Sequence, residues 1–81
     1  MPSAIDPNDP RRLFGVRLKQ LRLKQGLSQE ALAYDSGIAR SYVGDVERGA
    51  RNIAPLNICK LAETLGEPPS ALLEFRRSRL K

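Results

Sequence analysis

Few side chains in this sequence can do chemistry, and five notable positions fall on one side of one short stretch. Stepped at 100° per residue, Arg40, Ser41, Gly44, Asp45 and Arg48 group together, opposite Val43 and Val46. Two guanidinium groups, a hydroxyl and a carboxylate make a hydrogen-bonding surface rather than a bond-breaking one. The composition points the same way. The 81 residues include no histidine, so the usual near-neutral base and commonest metal ligand is missing. One cysteine, Cys59, closes no intrachain disulfide and builds no thiolate zinc site. No nucleophile–base arrangement is legible. The expectation is binding without turnover, with no catalytic residue, no metal and no cofactor.

Short helices have to position that face. Asp9 can cap free amide groups and Pro10 suits a first helical position. Phe14, Leu18 and Leu21 then recur at the spacing of one helical face, and Gly26 stops the run. Ser28 caps a second helix, with Glu30 in its first turn and Gly37 at its end. A third helix runs from about Arg40 to Arg48 and stops at Gly49. A fourth opens at Pro55, with Ile58, Leu61, Ala62 and Leu65 as its apolar stripe, and ends at Gly66. After Pro68 and Pro69 a last helix covers Ser70 to about Phe75, with Leu72 and Phe75 inward. No alternating strand pattern occurs. The fold class expected is all-α: a five-helix domain over residues 10–75, preceded by a flexible arm (1–9) and followed by a basic tail (76–81).

Length and charge narrow the partner. A chain this short forms one small domain, which buries only about 60–70 % of its unfolded surface and has little stability to spare for a deep cavity. No apolar stretch of about 20 residues and no signal-peptide run is present, so a cytoplasmic domain with no membrane partner is expected. The net charge is +5, unevenly spread. Residues 1–10 carry −2, residues 11–26 carry +6, residues 27–51 carry −1, residues 52–75 carry −2 and the tail carries +4. Two basic blocks fit a polyanion if the fold brings them to one side, and equally fit a solvated helix face.

The stretch from Leu27 to Arg51 separates these readings. Two helices of about two turns each are joined by Ser36-Gly37-Ile38-Ala39, with Gly37 as the turn and Ile38 as an apolar plug beneath it. That is the organisation of a helix-turn-helix, whose second helix enters the DNA major groove. A helical-hairpin core fragment shares its first half; the polar outer face of the second helix favours recognition. Gly44 on that face is either tolerated or a point of close approach to a base step or sugar.

Residues 14–66 closely resemble the Cro/repressor-type (XRE-like) helix-turn-helix family of bacterial and phage regulators. The matching residues are Phe14-Gly15, Leu18, Leu21-Arg22, Gly26-Leu27-Ser28-Gln29, Leu32-Ala33, Gly37-Ile38, Val43, Val46-Glu47-Arg48-Gly49, Arg51, Leu61-Ala62 and Leu65-Gly66, in order and at matching separations. The start Arg40-Ser41-Tyr42 and the run from Glu47 to Asn52 also resemble controller proteins of restriction–modification systems. Ala39 and Ala54 depart from the pattern, standing where relatives often carry a serine or threonine cap worth about 1 kcal/mol.

The resemblance implies roles. Arg40, Ser41 and Asp45 fall where members touch base edges: arginine pairs with guanine O6 and N7, and aspartate accepts from cytosine N4. Gln29 sits where members bind a phosphate at a helix amino end, and Arg48 and Arg51 fall beyond the recognition helix as phosphate contacts. Tyr42 flanks the base-facing side as a phosphate neighbour or a half-buried packing residue. Arg22 and Glu47 match a largely buried ion pair. The implied molecule is a transcriptional regulator binding double-stranded DNA as a homodimer on a short palindromic operator, with half-sites about 34 Å apart. Its dimer surface would draw on Leu56, Cys59, Pro68, Pro69, Leu73 and Phe75. For Phe75 closure of the monomer core is the stronger reading, and Cys59 also reads as a small packing residue. With about six phosphates neutralised per dimer, log affinity should fall against log salt with a slope near −5. No small-molecule ligand is expected. The alternative is an antitoxin-type or other protein-interaction module of the same fold, against which stands the short stretch after Phe75.

Overall fold

The computed structural model describes residues 6–75; residues 1–5 of the expected arm and the basic tail 76–81 lie outside the described residues. Five helices follow in order: α1 (Pro10–Lys24), α2 (Gln29–Ser36), α3 (Arg40–Glu47), α4 (Pro55–Leu65) and α5 (Pro69–Leu72), with no strand among the described residues. Their boundaries follow from local chemistry. Asp9 Oδ1 accepts from the Arg11 amide at 2.9 Å, and Ser28 Oγ accepts from the Ala31 amide at 3.0 Å. Each cap satisfies an amide that the first helical turn leaves without a partner. Ala39 and Ala54 start α3 and α4 with no side-chain cap, and Pro55 fills the first position of α4.

Residues 6–9 are less arm-like than the composition implies. The Asp9 amide donates to the Asp6 carbonyl at 2.8 Å and the Asn8 amide to Asp6 Oδ1 at 2.9 Å, a turn leading directly into α1.

The apolar faces of the helices meet in one core. Phe14, Leu18 and Leu21 of α1, Leu32 and Ala33 of α2, Val43 and Val46 of α3, Leu61, Ala62 and Leu65 of α4, and Ala71 and Leu72 of α5 are buried there. Helix α1 packs on α3 and α5, α2 on α3 and α4, and α4 on α5. At the turn between α2 and α3, Gly37 takes the left-handed conformation (φ +74°), open to glycine without a Cβ penalty. The Ile38 amide then returns to the Ala33 carbonyl at 3.1 Å, and the Ile38 side chain drops into the core. This turn fixes the angle at which α3 leaves α2.

The last helix is shorter than expected, ending at Leu72 instead of near Phe75. Its end is set from outside. Arg17 Nε of α1 donates to the Ala71 carbonyl at 2.7 Å, and Arg17 Nη2 meets Glu74 Oε1 at 3.2 Å. The Phe75 amide turns to the Leu73 carbonyl at 3.0 Å rather than continuing the helical ladder. Phe75 thereby folds back, half-buried, against the core.

Candidate nucleic-acid interface

Helix α3 buries Val43, Val46 and Glu47 and leaves Arg40 and Ser41 exposed and Asp45 partly so. Arg40 and Ser41 at its amino end are exposed, and Arg40 Nε lies 3.5 Å from Glu30 Oε2 of α2, both side chains well solvated. Such an exposed pair is worth little in stability, so Arg40 can leave it easily. One turn on, Asp45 accepts from Arg48 Nη2 through Oδ1 and from Arg51 Nη2 through Oδ2, the latter at 3.3 Å. The Arg51 guanidinium also lies over the Tyr42 ring, 4.8 Å from its centroid. Tyr42 itself is half-buried and packs against the core. Asp45, Arg48, Arg51 and Tyr42 thus form one cluster at the carboxyl end of α3.

Beneath that cluster a buried polar chain ties three segments together. Arg22 Nε and Nη2 donate to Glu47 Oε2 and Oε1 at 2.6 and 3.0 Å, and Arg22 Nη1 donates to the Leu27 carbonyl at 2.8 Å. Gln29 Nε2 donates to Glu47 Oε1 at 2.9 Å. The two ionic side chains are 8 % and 3 % exposed. Hydrogen bonding to Glu47 raises the Arg22 pKa above its ordinary value, against the opposing effect of burial, so the guanidinium stays charged. The chain joins the end of α1, the start of α2 and the end of α3. It also sets the orientation of the Gln29 carboxamide.

Gly44 occupies a different place from the one its helical angle assigns. It is buried, and a Cβ there would meet Arg48 Nη1 at 3.4 Å and Gln29 Oε1 at 3.5 Å. Side chains from α2 and from the next turn cover it, which an isolated helical wheel does not register. Close approach of Gly44 itself to a base or sugar therefore requires Gln29 and Arg48 to move aside.

The basic block of α1 is divided in use. Arg11 pairs with Asp9 at 2.6 Å, Arg17 holds the end of α5 and Arg22 is buried against Glu47. Arg12, Lys19 and Lys24 remain exposed. Arg17 and Gln25, whose Nε2 donates to the Leu65 carbonyl at 2.6 Å, are positioning residues that sequence reasoning missed. Both donate to carbonyls near the carboxyl ends of the last two helices. Their only sequence signal is a long polar side chain, on α1 for Arg17 and just past its end for Gln25.

The residues expected at a dimer surface are spread over α4 and the segment after it. Leu56, Pro68, Pro69 and Leu73 are exposed, Leu56 at 65 % and Leu73 at 51 %. Cys59 is exposed as well, which corrects its reading as a packing residue of the monomer: its position on α4 faces away from the core stripe. Phe75, by contrast, packs half-buried on the core. An open groove of about 330 Å³ borders this region, lined in part by Pro10, Phe14, Ile53, Ile58, Leu73 and Phe75. No helix among the described residues is long and apolar enough to cross a membrane.

Comparisons with known proteins place the fold. The profile of the family HTH_3, described as helix-turn-helix, matches residues 18–72. Control protein C.BamHI of Bacillus amyloliquefaciens is 45% identical over 69 residues, covering 84% of this chain and 85% of that protein. The restriction-modification controller protein C.AhdI from Aeromonas hydrophila superposes with a TM-score of 0.76 at 55% identity, over 76% of this chain and 94% of that one. SinR, a master regulator for biofilm formation solved in complex with DNA, superposes with a TM-score of 0.73 at 32% identity, over 75% and 98% of the two chains. With more than half its length inside the matched profile and relatives of this identity and coverage, the chain belongs to the XRE-like helix-turn-helix family of DNA-binding regulators.

Proposed function

We propose that the protein is a transcriptional regulator that binds a short palindromic operator as a homodimer, α3 lying in the major groove, in the manner of a restriction–modification controller. The carrying observation is the outer face of α3. Exposed Arg40 and Ser41 lead into the Asp45–Arg48–Arg51 cluster, on a helix whose opposite face is anchored by Val43 and Val46. Arg40, Ser41 and Asp45 read base edges in this assignment. Gln29, Tyr42, Arg48 and Arg51 face the backbone, which fixes register without sequence information. The SinR complex with DNA and the controller relatives support the reading. The dimer uses the exposed apolar residues Leu56, Pro68, Pro69 and Leu73 with Cys59, and Phe75 shapes the edge of that surface from within the monomer core.

Sequencing of fragments selected by the protein from random DNA tests this directly, returning the half-site and its spacing. On the selected operator, Arg40→Ala is expected to cost about 1–3 kcal/mol and to relax preference at one base pair. Arg51→Ala is expected to weaken the operator and its single-base variants alike, without changing the preferred base, and to flatten the salt slope by about 1. Equal losses on operator and random duplex for Arg40→Ala would remove Arg40 from base readout. A sedimenting species that stays monomeric on the selected site would exclude the dimer.

A further inference from the structure

We propose that Asp45 is a sequence-gated latch that keeps Arg48 and Arg51 from phosphates on the wrong DNA. The inference rests on the DNA-binding reading above and assigns Asp45 a function beyond base contact. The geometry carries it. Each carboxylate oxygen of Asp45 engages one guanidinium, Oδ1 with Arg48 and Oδ2 with Arg51. The carboxylate thus presents two oxygens to two arginines, much as the two non-bridging oxygens of a phosphodiester would. Arg51 is further held by stacking over Tyr42. The arginine side chains are 66 % and 48 % exposed and Asp45 is 29 % exposed, so all three can exchange partners without unfolding anything.

Each arginine gives Asp45 its Nη2, which turns both guanidinium groups toward the carboxylate, so phosphate binding through Arg48 and Arg51 competes with that pairing. Phosphates take over the guanidinium groups, and Asp45 is left as an anion facing the negative potential of the groove. On a site that places a cytosine amino group beneath it, the carboxylate gains a donor and the exchange is offset. On other sequences it gains none. The latch therefore suppresses non-specific binding more than operator binding. A carboxylate in a basic interface looks like a handicap if affinity alone is counted, whereas discrimination between sites makes use of it.

The test compares wild type, Asp45→Asn and Glu63→Gln on the selected operator and on a random-sequence duplex, across a salt series. Glu63→Gln makes the same charge change at an exposed position on α4. Asp45→Asn is expected to tighten random-duplex binding between about two- and thirty-fold, the equivalent of freeing two exposed ion pairs. The salt slope on random duplex should steepen by about 1–2 as the arginines reach phosphates. Operator affinity should stay level or fall, so that the operator-to-random ratio drops. Introducing Arg51→Gln should then weaken random-duplex binding more in the Asp45→Asn background than in wild type. An equal gain on both duplexes, a gain no larger than that of Glu63→Gln, or a loss on both would overturn the latch while leaving the DNA-binding reading intact. Failure of wild type to bind any duplex would overturn both.

Discussion

Glu47→Ala is expected to destabilise the fold by about 3–5 kcal/mol, because it strands the Arg22 guanidinium in the interior. For a domain of this size that corresponds to a drop in Tm on the order of 12–40 °C. The magnitude follows from burial. A pair whose side chains are 8 % and 3 % exposed has given up nearly all its hydration, and the hydrogen bonds at 2.6 and 3.0 Å replace it. Arg22 would keep only its bond to the Leu27 carbonyl. Arg22→Ala should fall in the same range, since Gln29 is then the remaining side-chain donor to Glu47. The double variant Arg22→Met/Glu47→Leu separates the worth of the pair from the penalty of an orphaned charge, and should unfold much closer to wild type than either alanine variant. Thermal and denaturant unfolding measure all three. Single-variant losses below about 1 kcal/mol would mean that water reaches the stranded group and that the pair is not a buried one in solution. In the double variant Gln29 also loses its anchor, so DNA affinity should fall even where stability is restored.

The starts of α1, α2 and α4 and the stops of α2 and α4 were legible because each depends on chemistry within a few residues. Asp9 with Pro10, Ser28, the left-handed Gly37 and Gly66, and Pro55 act on the helix they adjoin, and no distant contact overrides them. The outward face of α3 was legible for a related reason: Val43 and Val46 had to go inward, and a helical step placed Arg40 and Ser41 opposite. What escaped depends on atoms far away in the chain. The early end of α5 is governed by Arg17, more than fifty positions earlier, and an isolated propensity reading of Ser70 to Phe75 has no access to it. Gly44 is covered by Gln29 of another helix, so its wheel position misreports its exposure. The basic block of α1 reads as a single electrostatic feature, yet Arg11, Arg17 and Arg22 are each engaged within the protein. Net charge counts side chains without knowing which already have partners. The Arg22–Glu47 pairing is implied by family resemblance, whereas its extension to Leu27 and Gln29 exists only in the folded chain.

Gly15→Ala is the second large effect, and here two physical arguments predict opposite signs. Within a helix, alanine is favoured over glycine by about 1 kcal/mol, so the substitution would ordinarily stabilise α1. At this crossing, however, a Cβ would lie 2.4 Å from the Val46 carbonyl oxygen, 2.6 Å from that of Glu47 and 2.8 Å from the Glu47 carbonyl carbon. All three are backbone atoms of α3 or its end, and they cannot swing aside as a side chain could. Helix α1 would have to withdraw from α3, loosening the core between the two helices and stretching the Arg22–Glu47 bridge. Overpacking of this kind costs about 1–3 kcal/mol in cores that can adjust, and the immobile partners place Gly15→Ala at or beyond the upper end. Gly44→Ala provides the internal control. Its Cβ would meet only side-chain atoms at 3.4 and 3.5 Å, an ordinary contact distance, so the propensity gain should prevail and stability should hold or rise. A stable Gly15→Ala protein with a raised Tm would show that α1 and α3 do not approach as closely in solution. With the expected loss, residual binding should also fall at the operator more than on random duplex, because a displaced α3 misplaces Arg40 relative to the base edges while the surface charge is unchanged.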